Sequence, residues 1–84
     1  MEFINVKVIH PTNNADIDIG LPGETILREM FTQLIDASFL AASPEGYRGV
    51  NKSKGNKALD NDKSMTENGV ENNDTILVTP NIKA

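Results

Sequence analysis

The sequence predicts an α+β domain: a mixed sheet of about four to five strands packed on one amphipathic helix. Three observations carry that prediction. Residues 3–9 and 15–21 each alternate apolar and polar side chains, the period of strands with one buried face. Residues 26–37 repeat their apolar side chains at helical spacing. The run Thr75-Ile76-Leu77-Val78-Thr79 is rich in β-branched residues and is stopped by Pro80.

In the first strand, Ile4, Val6 and Val8 share one face, Asn5 and Lys7 the other, with Phe3 and Ile9 joining that other face near its ends. His10-Pro11-Thr12-Asn13-Asn14 is turn chemistry, since proline cannot donate to a ladder and asparagine tolerates left-handed backbone. The second strand places Ala15, Ile17, Ile19 and Leu21 opposite Asp16 and Asp18, and the two strands are expected to form an antiparallel hairpin. Pro22-Gly23 ends it, and Thr25 is placed to cap the helix through its side chain. On that helix Ile26, Leu27, Met30, Phe31, Leu34, Ile35 and Ala37 fall on one side, with Arg28, Glu29, Thr32, Gln33 and Asp36 on the other. An apolar stripe beside a one-sided hairpin is read as its lid.

Phe39-Leu40-Ala41-Ala42 leads to Ser43-Pro44-Glu45-Gly46, by which point the helix has ended. Tyr47-Arg48-Gly49-Val50 reads as a third strand, Asn51 to Asn56 as a polar loop and Lys57-Ala58-Leu59 as a strand stub. Asp60-Asn61-Asp62-Lys63 turns the chain. Met65 and Val70 are apolar anchors around one helical turn closed by Gly69. The whole, 1–84, is expected to be one domain with its core at about 3–79 and a short tail at 80–84.

Composition narrows the function. A chain of 84 residues buries only about 60% of its unfolded surface, too little to wall off a deep active site. It has no cysteine, so thiolate metal sites, iron–sulfur clusters and cysteine nucleophiles are excluded. The net charge of −4 argues against general nucleic-acid binding. Arg48, Lys52, Lys54, Lys57 and Lys63 nevertheless gather most of the basic residues into one segment, read as a solvated hairpin kept soluble by its lysines. No leader pattern or run of about 18 apolar residues is seen, so a cytoplasmic location without membrane insertion is expected.

Isolated chemical motifs carry little. Asp60, Asp62, Ser64, Thr66, Asn68 and Glu71 sit at the ligand spacing of a calcium loop, but Met65 stands where that loop needs its glycine. His10 is the only histidine, expected in solvent and unable to build a metal site or triad alone. Asp16 and Asp18 share a face, as an acid–base pair would, yet on an exposed strand they are read as solubilising. No enzyme activity, cofactor or small-molecule substrate is expected.

The order of parts resembles the ubiquitin-like β-grasp superfamily over about residues 3–79. The second half carries the resemblance most specifically: the stub Lys57-Ala58-Leu59-Asp60, the turn Ser64-Met65-Thr66-Glu67-Asn68-Gly69-Val70, then Asn72-Asn73-Asp74 and the final strand. Within the superfamily the chain is most similar to the YukD/EsaB-like small proteins of type VII (WXG-type) secretion systems. That resemblance implies a non-catalytic adaptor or regulator whose partner is another protein, a secretion-system component. A covalent carrier or modifier is disfavoured, because the sequence ends Thr79-Pro80-Asn81-Ile82-Lys83-Ala84 without the glycine pair such chemistry needs. A PB1-like oligomerisation module, pairing Lys7 with the Asp60-Asn61-Asp62 turn, is the other alternative. The third strand drifts into Asn51-Lys52-Ser53-Lys54 where ubiquitin carries its aliphatic patch, so Tyr47 and Val50, flanked by Arg48 and Lys52, are the candidate contact surface.

Overall fold

The computed structural model describes residues 3–13, 15–42 and 46–80. The expected turn residue Asn14, the break at Ser43-Pro44-Glu45 and the tail beyond Pro80 lie outside the described residues. Strands β1 (Phe3–Ile9), β2 (Asp16–Pro22), β3 (Tyr47–Asn51), β4 (Lys57–Ala58) and β5 (Asp74–Pro80) form one five-stranded sheet in the order β2-β1-β5-β3-β4. Helix α1 (Leu27–Asp36) crosses between β2 and β3, and a 3₁₀ turn (Lys52–Lys54) links β3 to β4. The β1–β5 pair is parallel and the other pairs are antiparallel, so the sheet is mixed as the sequence predicts.

Register sorts every strand residue onto one of two faces. Val6 lies opposite Ile19, Val8 opposite Ile17 and Ile76, and Gly49 opposite Val78, all facing the helix. Leu27, Met30, Phe31 and Leu34 of α1 cover them, and Val8, Ile76, Val78, Leu27, Met30 and Met65 are fully buried. Strand parity puts Gly49 on this inner face, where the Phe31 ring packs close to it. A Cβ there would come within 3.2 Å of Ile76 Cγ2 and 3.5 Å of Phe31 Cζ. The stripe stops one residue sooner than expected: Ala37 is exposed at the C-cap, while Ala15 lies outside β2 and is also exposed.

Thr25 does not cap the helix. The N-cap position is Ile26, whose side chain makes no capping bond, and the first amides are met by backbone carbonyls from far along the chain. Leu27 N donates to Lys63 O at 3.0 Å and Arg28 N to Asn61 O at 3.2 Å, while Met65 N donates to Thr25 O at 3.0 Å. A helix start needs partners for its orphan amides, and here the 60–70 segment supplies them in place of a side chain. The other end is a Schellman motif, with Phe39 N to Leu34 O at 2.9 Å, Ser38 N to Ile35 O at 3.0 Å and Ser38 in the left-handed region at φ 64°. It turns Leu40 back into the core, where that side chain is 3% exposed.

The 60–70 segment is held by its own side chains. Ser64 and Glu67 form a reciprocal capping box, Ser64 N donating to Glu67 Oε1 at 2.9 Å and Glu67 N to Ser64 Oγ at 3.0 Å. Asn68 lies buried at its centre. Its Oδ1 accepts from Asp60 N at 2.7 Å, and its Nδ2 donates to Asp60 O at 2.9 Å and to Ser64 O at 3.0 Å. At the start of β5 a second buried pair, Asn51 Nδ2 to Asp74 Oδ2 at 2.9 Å, ties β3 to β5, and Asp74 Oδ2 also accepts from Glu71 N at 2.9 Å. The expected polar loop thus begins with a fully buried asparagine that ends β3 and accepts from Ser53 N at 3.0 Å.

Three outcomes follow for stability. Ser38→Gly relieves the left-handed strain at an exposed site and should raise stability by about 0.5–1 kcal/mol in urea unfolding. Met65→Ala empties a fully buried position and should cost about 2–5 kcal/mol by the same measurement. The Ser64 backbone N–H, and after it the Ser64 hydroxyl, hold the Glu67 carboxyl below the usual glutamate range. With the folded value below the unfolded one, that contribution is fully present above the ordinary range and is lost as pH falls through the lowered value. The gap in thermal midpoint between wild type and Glu67→Gln should therefore be widest near neutrality and close on acidification; a gap that ignores pH contradicts the assignment.

Candidate functional site

With α1 over one face of the sheet, the other face carries the exposed side chains. Cα pairing aligns Asp16, Ile9, Leu77, Val50 and Ala58 in one row that crosses every strand. Four of the five are apolar; Ile9, Leu77 and Val50 are half-buried and Ala58 is exposed. On one flank lies the row Asp18, Lys7 and Thr75, and on the other the pair Arg48 and Thr79, where Arg48 Nε donates to Thr79 Oγ1 at 3.3 Å. A depression of about 410 Å³ lined by Asn5, Lys7, Asp18, Asn73 and Thr75 opens beside the apolar row.

The four residues singled out from the sequence separate onto two faces. Arg48 and Val50 point outward and Lys52 is exposed just beyond them in the 3₁₀ turn. Tyr47 does not join them. It is 7% exposed, its ring sits 6.4 Å from that of Phe31, and its hydroxyl donates to Ala41 O at 2.5 Å. Strand alternation is the reason: Tyr47, Gly49 and Asn51 share the inward parity, and Arg48 and Val50 the outward one. In its place the structure adds Leu77 and Ala58, which pair directly with Val50, and Ile9, which joins the row through its pairing with Leu77. A search along one strand misses this row. The signal available was the outward parity of Ile9 and Leu77 within their own strands.

Charge is graded across this face. Lys7, Arg48 and Lys52 lie along and beside the apolar row, while Asp16 and Asp18 stand on β2 at its edge. Asp18 is opposite Lys7 and Asp16 opposite Ile9, so the two carboxylates are exposed strand residues. Lys54 is turned toward the rim, where the Glu71 carboxylate pairs with it and holds its ammonium above the usual lysine range. That exposed pair contributes little to stability.

His10 is half-buried, contrary to the expectation of a solvent position. Its ring meets Phe39 edge-on at 5.4 Å, and its Nδ1 accepts from Thr12 N at 3.1 Å, closing the β1–β2 turn. Of the calcium-loop candidates, Asp60 Oδ1 accepts from Asp62 N at 2.9 Å, and Ser64 and Asn68 are engaged in the bonds described above. Among the described residues no helix is long and apolar enough to cross a membrane.

Replacing Asp74 tests the inner anchor of this face. Asp74→Ala leaves the buried Asn51 amide and Glu71 N without their acceptor and should cost about 2–4 kcal/mol in urea unfolding. A loss below about 0.5 kcal/mol, the size of an ordinary surface change, would show that this pair does not hold β3 against β5.

No family model matches the sequence, and no curated protein matches it. Solved structures do resemble the fold. The ubiquitin of Caldiarchaeum subterraneum superposes with a TM-score of 0.73 at 13% identity, covering 98% of this chain and 98% of that one. The UBL domain of Plasmodium falciparum Dsk2 gives 0.72 at 20% identity, covering 94% and 99%. A ubiquitin-like domain from tubulin-binding cofactor B gives 0.72 at 13%, covering 94% and 90%. With the five-stranded mixed sheet and the single covering helix, these likenesses establish that the chain has the ubiquitin-like β-grasp fold.

Proposed function

We propose that this ubiquitin-like module is a non-catalytic adaptor that binds another protein through the open face of its sheet. The observation that carries the proposal is the apolar row Ile9–Leu77–Val50–Ala58, laid across four strands on the face that α1 leaves uncovered. Arg48, Lys52 and Lys7 beside it fit a partner that presents an aliphatic or aromatic anchor flanked by carboxylates. The residue inventory favours binding over catalysis: there is no cysteine, and Nδ1 of the single histidine serves the turn at Thr12. The resemblance to YukD/EsaB-like proteins supports a cytoplasmic chain whose partner is a component of a type VII secretion machinery.

The test is a titration of the isotope-labelled chain with WXG-type substrates and with the cytosolic part of a secretion ATPase, followed residue by residue in NMR spectra. Shifts should concentrate at Ile9, Arg48, Val50, Lys52, Ala58 and Leu77. Val50→Asp should weaken binding by at least about tenfold, as expected when an anchor is replaced by a charge at the centre of a contact. Tyr47→Phe, which removes only an inward hydroxyl, should leave affinity unchanged. Shifts confined to the solvent side of α1 would overturn the assigned face, and no binding to any of these proteins would overturn the assigned partner.

A further inference from the structure

Asn68 is the only asparagine in the chain followed by glycine. That dipeptide is chemically labile, because no side chain on Gly69 hinders its backbone nitrogen from attacking the asparagine side-chain carbonyl. Folding places this weak point at the centre of the 60–70 latch. Asn68 is 5% exposed, and its amide is held from both ends by Asp60 and from one end by Ser64. The would-be nucleophile is engaged too, since Gly69 N donates to Thr66 O at 2.9 Å. The Asn68 main-chain carbonyl accepts from Lys57 Nζ at 3.2 Å, fixing the peptide plane between Asn68 and Gly69.

We infer that Asn68–Gly69 is a self-deamidation site that the native fold protects and that local opening of the 60–70 segment exposes. In the opened segment Gly69 N bonds to Asn68 Cγ, giving up its proton to solvent base; the side-chain nitrogen takes up a proton and leaves as ammonia. The resulting cyclic imide is opened by water at either carbonyl, giving aspartate with the normal main chain or isoaspartate with one extra main-chain carbon. No oxidant or reductant enters: amide and water become carboxylic acid and ammonia.

The product does not fit the site it came from. Where Nδ2 donated to Asp60 O and Ser64 O, a carboxylate has only acceptors to offer, so two bonds become two repulsions. Isoaspartate also displaces Gly69, which closes the turn at φ 75°. The carbonyls of Asn61 and Lys63 that cap α1 belong to the same segment. A single chemical event in a transient opening therefore removes the latch permanently and loosens the start of the helix with it.

The experiment is to hold the full chain at mildly alkaline pH in native buffer and in concentrated urea, sampling with time, and to follow peptide 64–83 by mass for conversion of Asn68. Conversion in native buffer should be at least about tenfold slower than in urea, the ratio expected if only opened molecules react. Ser64→Ala, which weakens the capping box without altering residues 68–69, should speed the native reaction severalfold and leave the urea rate unchanged. Protein converted in urea and returned to native buffer should unfold at lower urea than unconverted protein carried through the same cycle. This comparison needs no variant to fold. Equal rates in native buffer and urea, a native rate that Ser64→Ala does not move, or a converted protein with the unconverted midpoint would each overturn the inference.

Discussion

The parallel pairing of β1 with β5 constrains everything else in the molecule. It sets Val8 against Ile76 at the middle of the sheet, both fully buried, and so joins segments separated by most of the sequence. With these strands central, β2 is placed outside β1 and β3 outside β5, and the chain between them has to cross the sheet. That crossing is α1, whose apolar side lies against the face to which Val6, Val8, Ile76 and Val78 point. The loop-closure entropy of pairing the first strand with the last is recovered only when helix and sheet bury these side chains together.

The 60–70 segment solves two problems created by this arrangement. A crossing helix that starts within the structure has amides that water does not reach freely, and the carbonyls of Asn61 and Lys63 satisfy two of them. The segment must also return the chain to the start of β5, and the Ser64–Glu67 box with the buried Asn68 amide gives it a fixed shape without regular secondary structure. Met65 and Val70 anchor it to the core from below, which is why two isolated apolar residues in a polar stretch are almost fully buried. Stability and chemical durability meet at Asn68, since the same hydrogen bonds that shape the turn keep its amide from reacting.

One face of the sheet packs against the core, and the other is left with a mixed apolar and polar character. Its apolar row is narrow, one residue per strand, and is bordered by hydroxyls and charges. A narrow row with a polar border is the pattern on which the proposed contact with a partner protein rests. Arg48 and Val50 lie on this face because their parity in β3 is opposite to that of Tyr47.

Local patterns in the sequence determined the element types and much of the core. Alternation in 3–9 and 15–21, the stripe of Leu27, Met30, Phe31 and Leu34, and the run of Ile76 and Val78 each follow from backbone geometry that neighbouring residues alone dictate. Tertiary structure decided what depends on residues distant in sequence. It supplied the helix cap from Asn61 and Lys63, buried Asn51 against Asp74, drew His10 onto Phe39, and aligned Ile9, Leu77, Val50 and Ala58 into one surface. Tyr47 marks the boundary between the two. Its strand was legible, but which parity faced the core was set only when register with β5 placed it in the sheet and α1 covered one side, because a strand has two equivalent faces until something packs on one.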